Sequence, residues 1–376
     1  MPFGIYVHVP FCASRCGYCD FNTYTATELG NTVTRDSFHQ VLIDEIRYAR
    51  TIAGDREVDT VFFGGGTPTL LEADALNEIL AAIREEFGLA THAEVTTEAN
   101  PDSVDEAKLA ALRHGGFTRI SLGMQSSATN VLKVLERTHT PGSSSAMAKA
   151  AREVGFEHVN LDLIYGTPGE SDDDLRRSLD EVLDAGVDHV SAYSLIVEQG
   201  TPLARKVSRG EIPEPDDDVA AGRYEIIDSV LRDAGFGWYE VSNWARPGGE
   251  CRHNLAYWRN TDWWGVGPGA HGHISGERWW NHKHPATYAD SIARGESPEA
   301  DREVLTAEQV QTEAVMLGVR LAEGIPASAI PDPSRLAAAA LVGRGLLDGE
   351  ALLAGRVCLT DSGRLLADAV VRELLS

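Results

Sequence analysis

The sequence is short of positive charge and of cysteine, and it holds no long apolar run. Its 33 Lys and Arg residues face 57 Asp and Glu, a formal net charge of −24. Such a surface repels phosphate backbones and anionic lipid, which sets nucleic acid and membranes aside as partners. A solvated acidic surface that favours solubility accounts for this charge without any further role. No stretch approaches the roughly 18 apolar residues of a membrane-spanning helix. The start, MPFGIYVHVPFC, lacks a basic n-region and a small-residue cleavage site, so it reads as a strand and not as a signal peptide. Five cysteines, three of them within eight residues, do not make a disulfide framework. That spacing fits metal ligation in a reducing compartment, so the expected location is the cytoplasm. With 43% hydrophobic and 24% charged residues, the 376-residue chain matches no disordered, collagenous or coiled-coil composition. Its length suits one large domain with one or two smaller ones.

What is present is an alternation. Short apolar runs at residues 5–9, 58–63, 93–97, 119–122, 159–164 and 190–196 predict strands. Helical patterns at 36–51, 72–87, 104–114, 127–134, 143–154 and 173–185 lie between them. Helix start signals such as Ser171-Asp172-Asp173 and stop signals such as Gly155 and Gly186 mark the boundaries. Strands joined by crossover helices predict an α/β fold with a parallel sheet, curled into an incomplete (β/α)6 barrel. The alternation weakens after residue 200, where one more helix, 217–234, is expected. The expected organisation is a partial barrel with the cysteine loop over 1–237, a Trp/His-rich segment over 238–300, and a mainly helical C-terminal domain over 301–376. The helices and the short strand (356–359) of that last part suit a winged-helix-like shape, but its 11 acidic and seven basic residues argue against reading DNA. Gly265-Val266-Gly267-Pro268-Gly269-Ala270 resembles a dinucleotide fingerprint, yet it lacks the strand-to-helix context and the following acidic residue.

The strongest chemical signal is Cys12-Ala13-Ser14-Arg15-Cys16-Gly17-Tyr18-Cys19, a C-x3-C-x2-C spacing directly after the first strand. Three thiolates on one loop can bind three irons of a [4Fe–4S] cubane and leave the fourth iron open. An open iron suits a cluster that binds a cofactor. S-adenosylmethionine (SAM) can chelate it through amino and carboxylate groups and then be cleaved reductively to a 5′-deoxyadenosyl radical. The competing reading is zinc, which asks for a fourth Cys or His at hairpin spacing; His8 is near but lies on the strand.

The cysteine motif and the run Gly64-Gly65-Gly66-Thr67-Pro68 after strand two resemble the radical SAM superfamily. Over essentially the whole chain the resemblance is closer to the oxygen-independent coproporphyrinogen III oxidase-like family, and within it to HemW-type heme chaperones. It implies a SAM site at Gly65, Gly66 and Thr67, with Glu98, Gln125, Arg137 and Asp162 at matching positions and Tyr6 on the first strand. Carboxylates can accept from ribose hydroxyls, and Arg137 can pair with the methionine carboxylate. The dehydrogenases resemble this chain but carry a fourth cysteine two residues after the third and a longer leading stretch. Here Phe21 holds that position, and only residues 1–4 precede the strand. Both departures point to the chaperones.

Residues 238–280 contain all seven tryptophans, and five of the twelve histidines fall at 253–284. Residues 241–285 carry five basic and three acidic residues, a local positive excess. Aromatics can stack on a porphyrin, imidazole can ligate its iron, and basic groups can meet its propionates. On composition alone an aromatic core that seals the barrel is the better reading. The resemblance, through the pattern H-N-x-x-Y-W, implies heme binding by His253, Asn254, Tyr257 and Trp258. Cys251 is a lesser ligand candidate, and Cys358 is expected as a buried strand residue. The resemblance thus implies a heme chaperone that passes heme to an acceptor protein, with a membrane respiratory protein as one kind of acceptor and a homodimer as a further family expectation. The alternatives are a radical SAM coproporphyrinogen III dehydrogenase and a cluster protein without catalysis. If the cluster reading holds, Cys12→Ser, Cys16→Ser and Cys19→Ser each abolish the iron–sulfur charge-transfer absorption, while Cys251→Ser and Cys358→Ser leave it intact. Parent-like iron content in the triple-serine variant would refute the assignment.

Overall fold

Runs such as Phe3–Val9 and Arg119–Gln125 are buried along nearly their whole length, as strands covered on both faces must be. The computed structural model describes residues 2–29, 33–331 and 334–376. Its first six strands are β1 (Phe3–Val9), β2 (Val58–Gly65), β3 (Leu89–Ala99), β4 (Arg119–Gln125), β5 (His158–Tyr165) and β6 (His189–Ser194). They pair in chain order and all parallel, which requires a crossover between each pair. The main crossover helices are Arg35–Ala53, Ala73–Phe87, Glu106–Gly115, Ser143–Glu153 and Asp172–Asp184. The last begins with a reciprocal capping box between Ser171 and Asp174 at the Ser/Asp start signal. This is the (β/α)6 arrangement expected from the alternation.

The sheet does not stop there. Residues 238–300 supply most of its remaining strands, so the Trp/His-rich segment is woven into the sheet and not set beside it. β7 (Gly237–Glu240) and β8 (Asn243–Ala245) extend the β6 edge antiparallel. β9 (Asp262–Val266) pairs parallel with β1 from Phe3↔Asp262 to Val7↔Val266. β10 (His271–Ile274), β11 (Glu277–Asn281) and β12 (Glu299–Val304) follow antiparallel, which makes a twelve-stranded sheet among the described residues. The outermost strand, β12, reads Glu-Ala-Asp-Arg-Glu-Val and is almost entirely exposed, a charged edge that discourages further pairing.

A second hydrophobic cluster, running from Val315 to Leu374, packs the C-terminal helices. It includes the short pair β13 (Ile325–Pro326) and β14 (Arg356–Val357). Arg364 fastens this part to the barrel, 3.0 Å from Asp228 and 4.2 Å over the Trp238 ring. Cys358 follows β14 half-buried, not buried in a strand as expected, because the strand is only two residues long. Among the described residues no helix is long and apolar enough to cross a membrane.

One buried carboxylate ties the added strands to the barrel. Glu45 of the first crossover helix is fully buried and accepts from Gly267 N at 2.6 Å, Asn281 Nδ2 at 2.7 Å and the Tyr288 hydroxyl. Burial pushes its carboxyl up to about 7, against the pull of those donors. The folded state therefore holds this proton more tightly than the unfolded state does. Its contribution to stability is full below the unfolded carboxylate range and is lost as pH rises through about 7. Glu45→Gln removes this titration and turns one acceptor into a donor facing Asn281. We expect a loss of roughly 1–3 kcal/mol at pH 5 that narrows by pH 8, measured by denaturant unfolding. A gap that widens with pH would contradict it.

Candidate functional site

The cysteine loop closes on itself directly after β1. Cys12 N donates to Tyr24 O at 3.0 Å, and Tyr24 N donates to Pro10 O at 2.7 Å. Asn22 reaches across to donate to Pro268 O at 3.0 Å and Lys283 O at 2.9 Å, which ties the loop to the added strands. Cys12, Cys16 and Cys19 are free, partly exposed thiols. Among the described residues no three His, Cys, Asp or Glu side chains converge as ligands of one metal ion. A cluster that gives each thiolate its own iron does not ask for that convergence, whereas a zinc site would. Burial and the neighbouring thiols push Cys19 up to about 11, so thiolates gathered here call for a multivalent cation to balance them. The donor set fits a cluster with one open iron.

The glycine run lies against this loop. Gly66 N donates to Val9 O and Thr67 N to Phe11 O, each at 2.8 Å. A Cβ on Gly66 would sit 2.3 Å from Phe11 O and 3.1 Å from Cys12 Sγ, so only glycine permits this approach. Gly65 holds φ +111° and donates its N–H to Glu98 Oε2 at 3.2 Å. Arg137 donates to Asn100 Oδ1 at 2.7 Å and Gly123 O at 3.0 Å, and lies 3.6 Å from Cys16 Sγ. Its Nε is buried without a partner among the described residues. Asn100 in turn donates to Thr67 Oγ1 at 3.0 Å, so it links the glycine run to Arg137. Gln125, at φ 64°, terminates β4 in the left-handed region. Sequence reasoning missed Asn100, whose signal was its place two residues after Glu98 at the end of β3.

Below this mouth the barrel interior is polar. Thr96, Glu98, Arg119, Ser121, Asn160 and Asp162 all line one cavity of about 140 Å3, where a packed barrel would hold Val, Ile and Leu. Asn160 donates to Ser121 Oγ at 2.6 Å and Asp162 Oδ1 at 2.7 Å, and Ser121 donates to Asp162 Oδ2 at 3.0 Å. Burial raises both acids, and the Asp162 charge helps push Glu98 up to about 8. Two carboxyl groups in a polar chamber suit hydroxyl-bearing ligands. Tyr6 lines the same cavity and meets His8 Nδ1 at 3.0 Å, while His8 Nε2 lies 2.9 Å from Asn22 O. The structure thus brings every expected SAM residue to this chamber or its mouth.

The expected heme residues lie elsewhere than an outer surface. The helix Arg252–Trp258 forms the floor of the chamber, near the N-terminal ends of the strands. Glu94 accepts from Arg119 Nε at 3.1 Å, Arg252 N at 3.1 Å and His253 N at 2.9 Å, while Arg119 donates to Gly249 O at 2.7 Å and Glu250 O at 3.0 Å. Burial opposes ionisation of Glu94, but Arg119 and these N–H groups outweigh it and hold the carboxyl below its usual range. His253 is 1% exposed, and both its ring nitrogens are engaged, Nδ1 with Thr60 Oγ1 at 2.8 Å and Nε2 with Tyr257 Oη at 3.0 Å. Burial drives it down to about 4, so it is neutral. His253, expected as an iron ligand, here has both ring nitrogens hydrogen-bonded and ties the floor helix to β2. Asn254 donates to Glu240 Oε1 at 3.1 Å, Tyr257 stands edge-on to Trp263 at 4.9 Å, and Trp258 is half-buried. Cys251 is buried, its thiol 3.5 Å from Glu94 Oε1 and pushed up to about 12, which makes it inert.

Comparison with known proteins places this geometry. The family model of the radical SAM superfamily matches residues 6–182. The chain is 56% identical over 374 residues to the heme chaperone HemW of Mycobacterium tuberculosis, covering all of this chain and 95% of that one. It is 36% identical to HemW of Bacillus subtilis, over 85% of this chain and 84% of the relative. Among solved structures, the coproporphyrinogen III oxidase HemN of Escherichia coli, a radical SAM enzyme, matches with a TM-score of 0.85. That match has 23% identity and covers 99% of this chain and 90% of the other, and it shows a shared fold.

The clamp on the floor helix is testable. Arg119→Met strands Glu94 as a buried charge and should cost roughly 3–5 kcal/mol of stability. Hydrogen exchange should rise first at residues 249–258. Unchanged protection there would show that the helix is held by something else.

Proposed function

This chain belongs to the radical SAM superfamily and, within it, to the HemW family, and from that premise we propose that it is a heme chaperone. The observation that carries this reading is identity to named heme chaperones sustained over the full length of the chain. Cys12, Cys16 and Cys19 would hold the [4Fe–4S] cluster. SAM would lie along Gly65, Gly66 and Thr67, with Arg137 at its carboxylate, Glu98 and Asp162 toward its hydroxyls, and Gln125 and Tyr6 flanking it. Together, cluster and SAM supply reductive cleavage of a sulfonium. Arg137 positions and neutralises, Gly66 permits close approach, and the Glu94–Arg119 floor excludes water from below.

The size of the chamber favours a chaperone over a dehydrogenase. About 140 Å3 is well below the ~300 Å3 at which pockets begin to take drug-sized ligands. A porphyrinogen would need this cavity widened, whereas SAM would lie across its mouth with only its hydroxyls directed to Glu98 and Asp162. Phe21, 61% exposed at the position where the resembling dehydrogenases carry a fourth cysteine, agrees. Heme is accordingly assigned to the aromatic segment that holds His253, Asn254, Tyr257 and Trp258 and the strands beside it. The acceptor is a protein; we take it to be a respiratory protein of the membrane, served from the cytoplasm, with the chaperone as a homodimer. The residue ranges 1–237, 238–300 and 301–376 remain our division of labour into SAM barrel, heme segment and C-terminal helical part.

Anaerobic reconstitution followed by heme titration tests the reading. We expect retention of one heme per chain and no SAM-dependent decarboxylation of coproporphyrinogen III. Decarboxylation with formation of 5′-deoxyadenosine, and no retained heme, would make the protein a dehydrogenase instead.

A further inference from the structure

A chaperone that hands heme on must hold it where an acceptor can reach it, and its iron ligand must carry a lone pair not already used. Most candidates fail one of these conditions. His253 is buried with both nitrogens engaged. His273 is 4% exposed, its Nδ1 bonded to Thr261 O at 3.1 Å and its Nε2 enclosed. His284 caps the Pro285–Ala293 helix through Nδ1 and packs edge-on against Tyr24. Cys251 is a buried thiol.

His271 meets both conditions. It is exposed at the start of β10, and neither ring nitrogen makes a hydrogen bond among the described residues. Its ring stacks against Trp280, the residue paired with it on β11, with centroids 5.7 Å apart and planes 29° apart. Paired residues share a sheet face. The pairs His271↔Trp280, His273↔Trp263 and Gly4↔Trp263 put His271 and Trp280 on the face that continues to Tyr6 inside the barrel. Beside Tyr6 the intervening strand contributes Gly265, with no side chain to interrupt that face. Burial, then the charges of Lys283 and Arg278, hold the His271 imidazole below its usual range, so its lone pair is available at neutral pH. Arg278 is taken up by Glu303 and Glu313, but Lys283 makes no ion pair among the described residues. An exposed neutral imidazole, an indole platform and an unspent ammonium together match an iron, a porphyrin plate and a propionate.

We propose that His271 is the protein ligand to the heme iron, with the porphyrin seated on the inner face of β9–β11 against Trp280 and a propionate directed to Lys283. This rests on the heme-chaperone reading above. His253 then acts as a positioning residue. It fixes Tyr257, and Tyr257 fixes Trp263, through ring contacts of 4.9 Å each.

The experiment titrates hemin into the full, reconstituted chain and follows the Soret band and the EPR spectrum. If the parent retains no heme, the chaperone reading itself falls. If it does, His271→Ala should lose the imidazole-ligated spectrum and bind more weakly, and free imidazole should restore the spectrum. Trp280→Leu should weaken binding while the ligand signature stays. Lys283→Gln should lower affinity and reduce its dependence on ionic strength. Parent-like spectrum and affinity in His271→Ala overturn the proposal. So does loss of the imidazole signature in His253→Ala when that variant keeps its fold by circular dichroism and its cluster absorption.

Discussion

The buried pair of Glu94 and Arg119 sets the terms for the rest of the site. The desolvation of two charges at the bottom of a barrel is costly. It is offset by the pair's own contact and by four hydrogen bonds to the chain at 249–253, from Arg119 Nη2 to two carbonyls and to Glu94 from two backbone N–H groups. That arrangement makes the floor helix obligatory. Without it Glu94 would lose its two backbone donors and Arg119 its two carbonyl acceptors. With it, the polar interior has a floor beneath its lining residues. Electrostatics in that chamber follow from burial: Glu98 rises to about 8, helped by the charge of Asp162, and His253 falls to about 4.

The sheet depends on residues 238–300 at both ends. β7 and β8 protect the β6 edge, and β9 protects the β1 edge, so no strand of the parallel core is left open. β1 therefore sits in the middle of a twelve-stranded sheet, although it is the first strand of the chain. Its position explains why the loop that follows it can be rigid enough to present three thiols. The loop starts from a strand paired on both sides and is hooked to β9–β11 by Asn22.

Much of this was legible in the sequence because local patterns carried it. Six strands, their order, and the cysteine and glycine residues all rest on short-range periodicity and spacing. Glu98, Gln125, Arg137 and Asp162 came from the family resemblance; Glu98, Gln125 and Asp162 lie on β3, β4 and β5, and Arg137 lies in the connection after β4. The added strands were not. β7 to β11 are three to five residues long and hold Trp, His and Gly, so no alternating apolar run announces them. The burial of His253 was equally hidden. The H-N-x-x-Y-W pattern shows an imidazole near aromatics, but only the tertiary pairing with Thr60 and Glu94, more than 150 residues away, decides whether its nitrogens are free. A motif tells which residues matter and leaves open whether they touch the ligand or hold those that do.

That distinction bears on how the two halves of the site relate. The cysteine loop is fastened beside the strands carrying His271 and Trp280 by two side chains: Asn22 donates to both Pro268 O and Lys283 O, and the Tyr24 hydroxyl donates to Lys283 O at 3.3 Å. The same loop meets His8, and His8 meets Tyr6, at 2.9 and 3.0 Å. Displacement of the loop would therefore be felt in the chamber through Tyr6 and beside β10 and β11 through the backbone of Lys283. A filled cluster, by holding three cysteines in place, would fix both. On the proposed reading, the acidic surface elsewhere would leave this aromatic, locally basic face as the seat for a flat anionic ligand, and the cysteine loop as the part that would keep that seat in register.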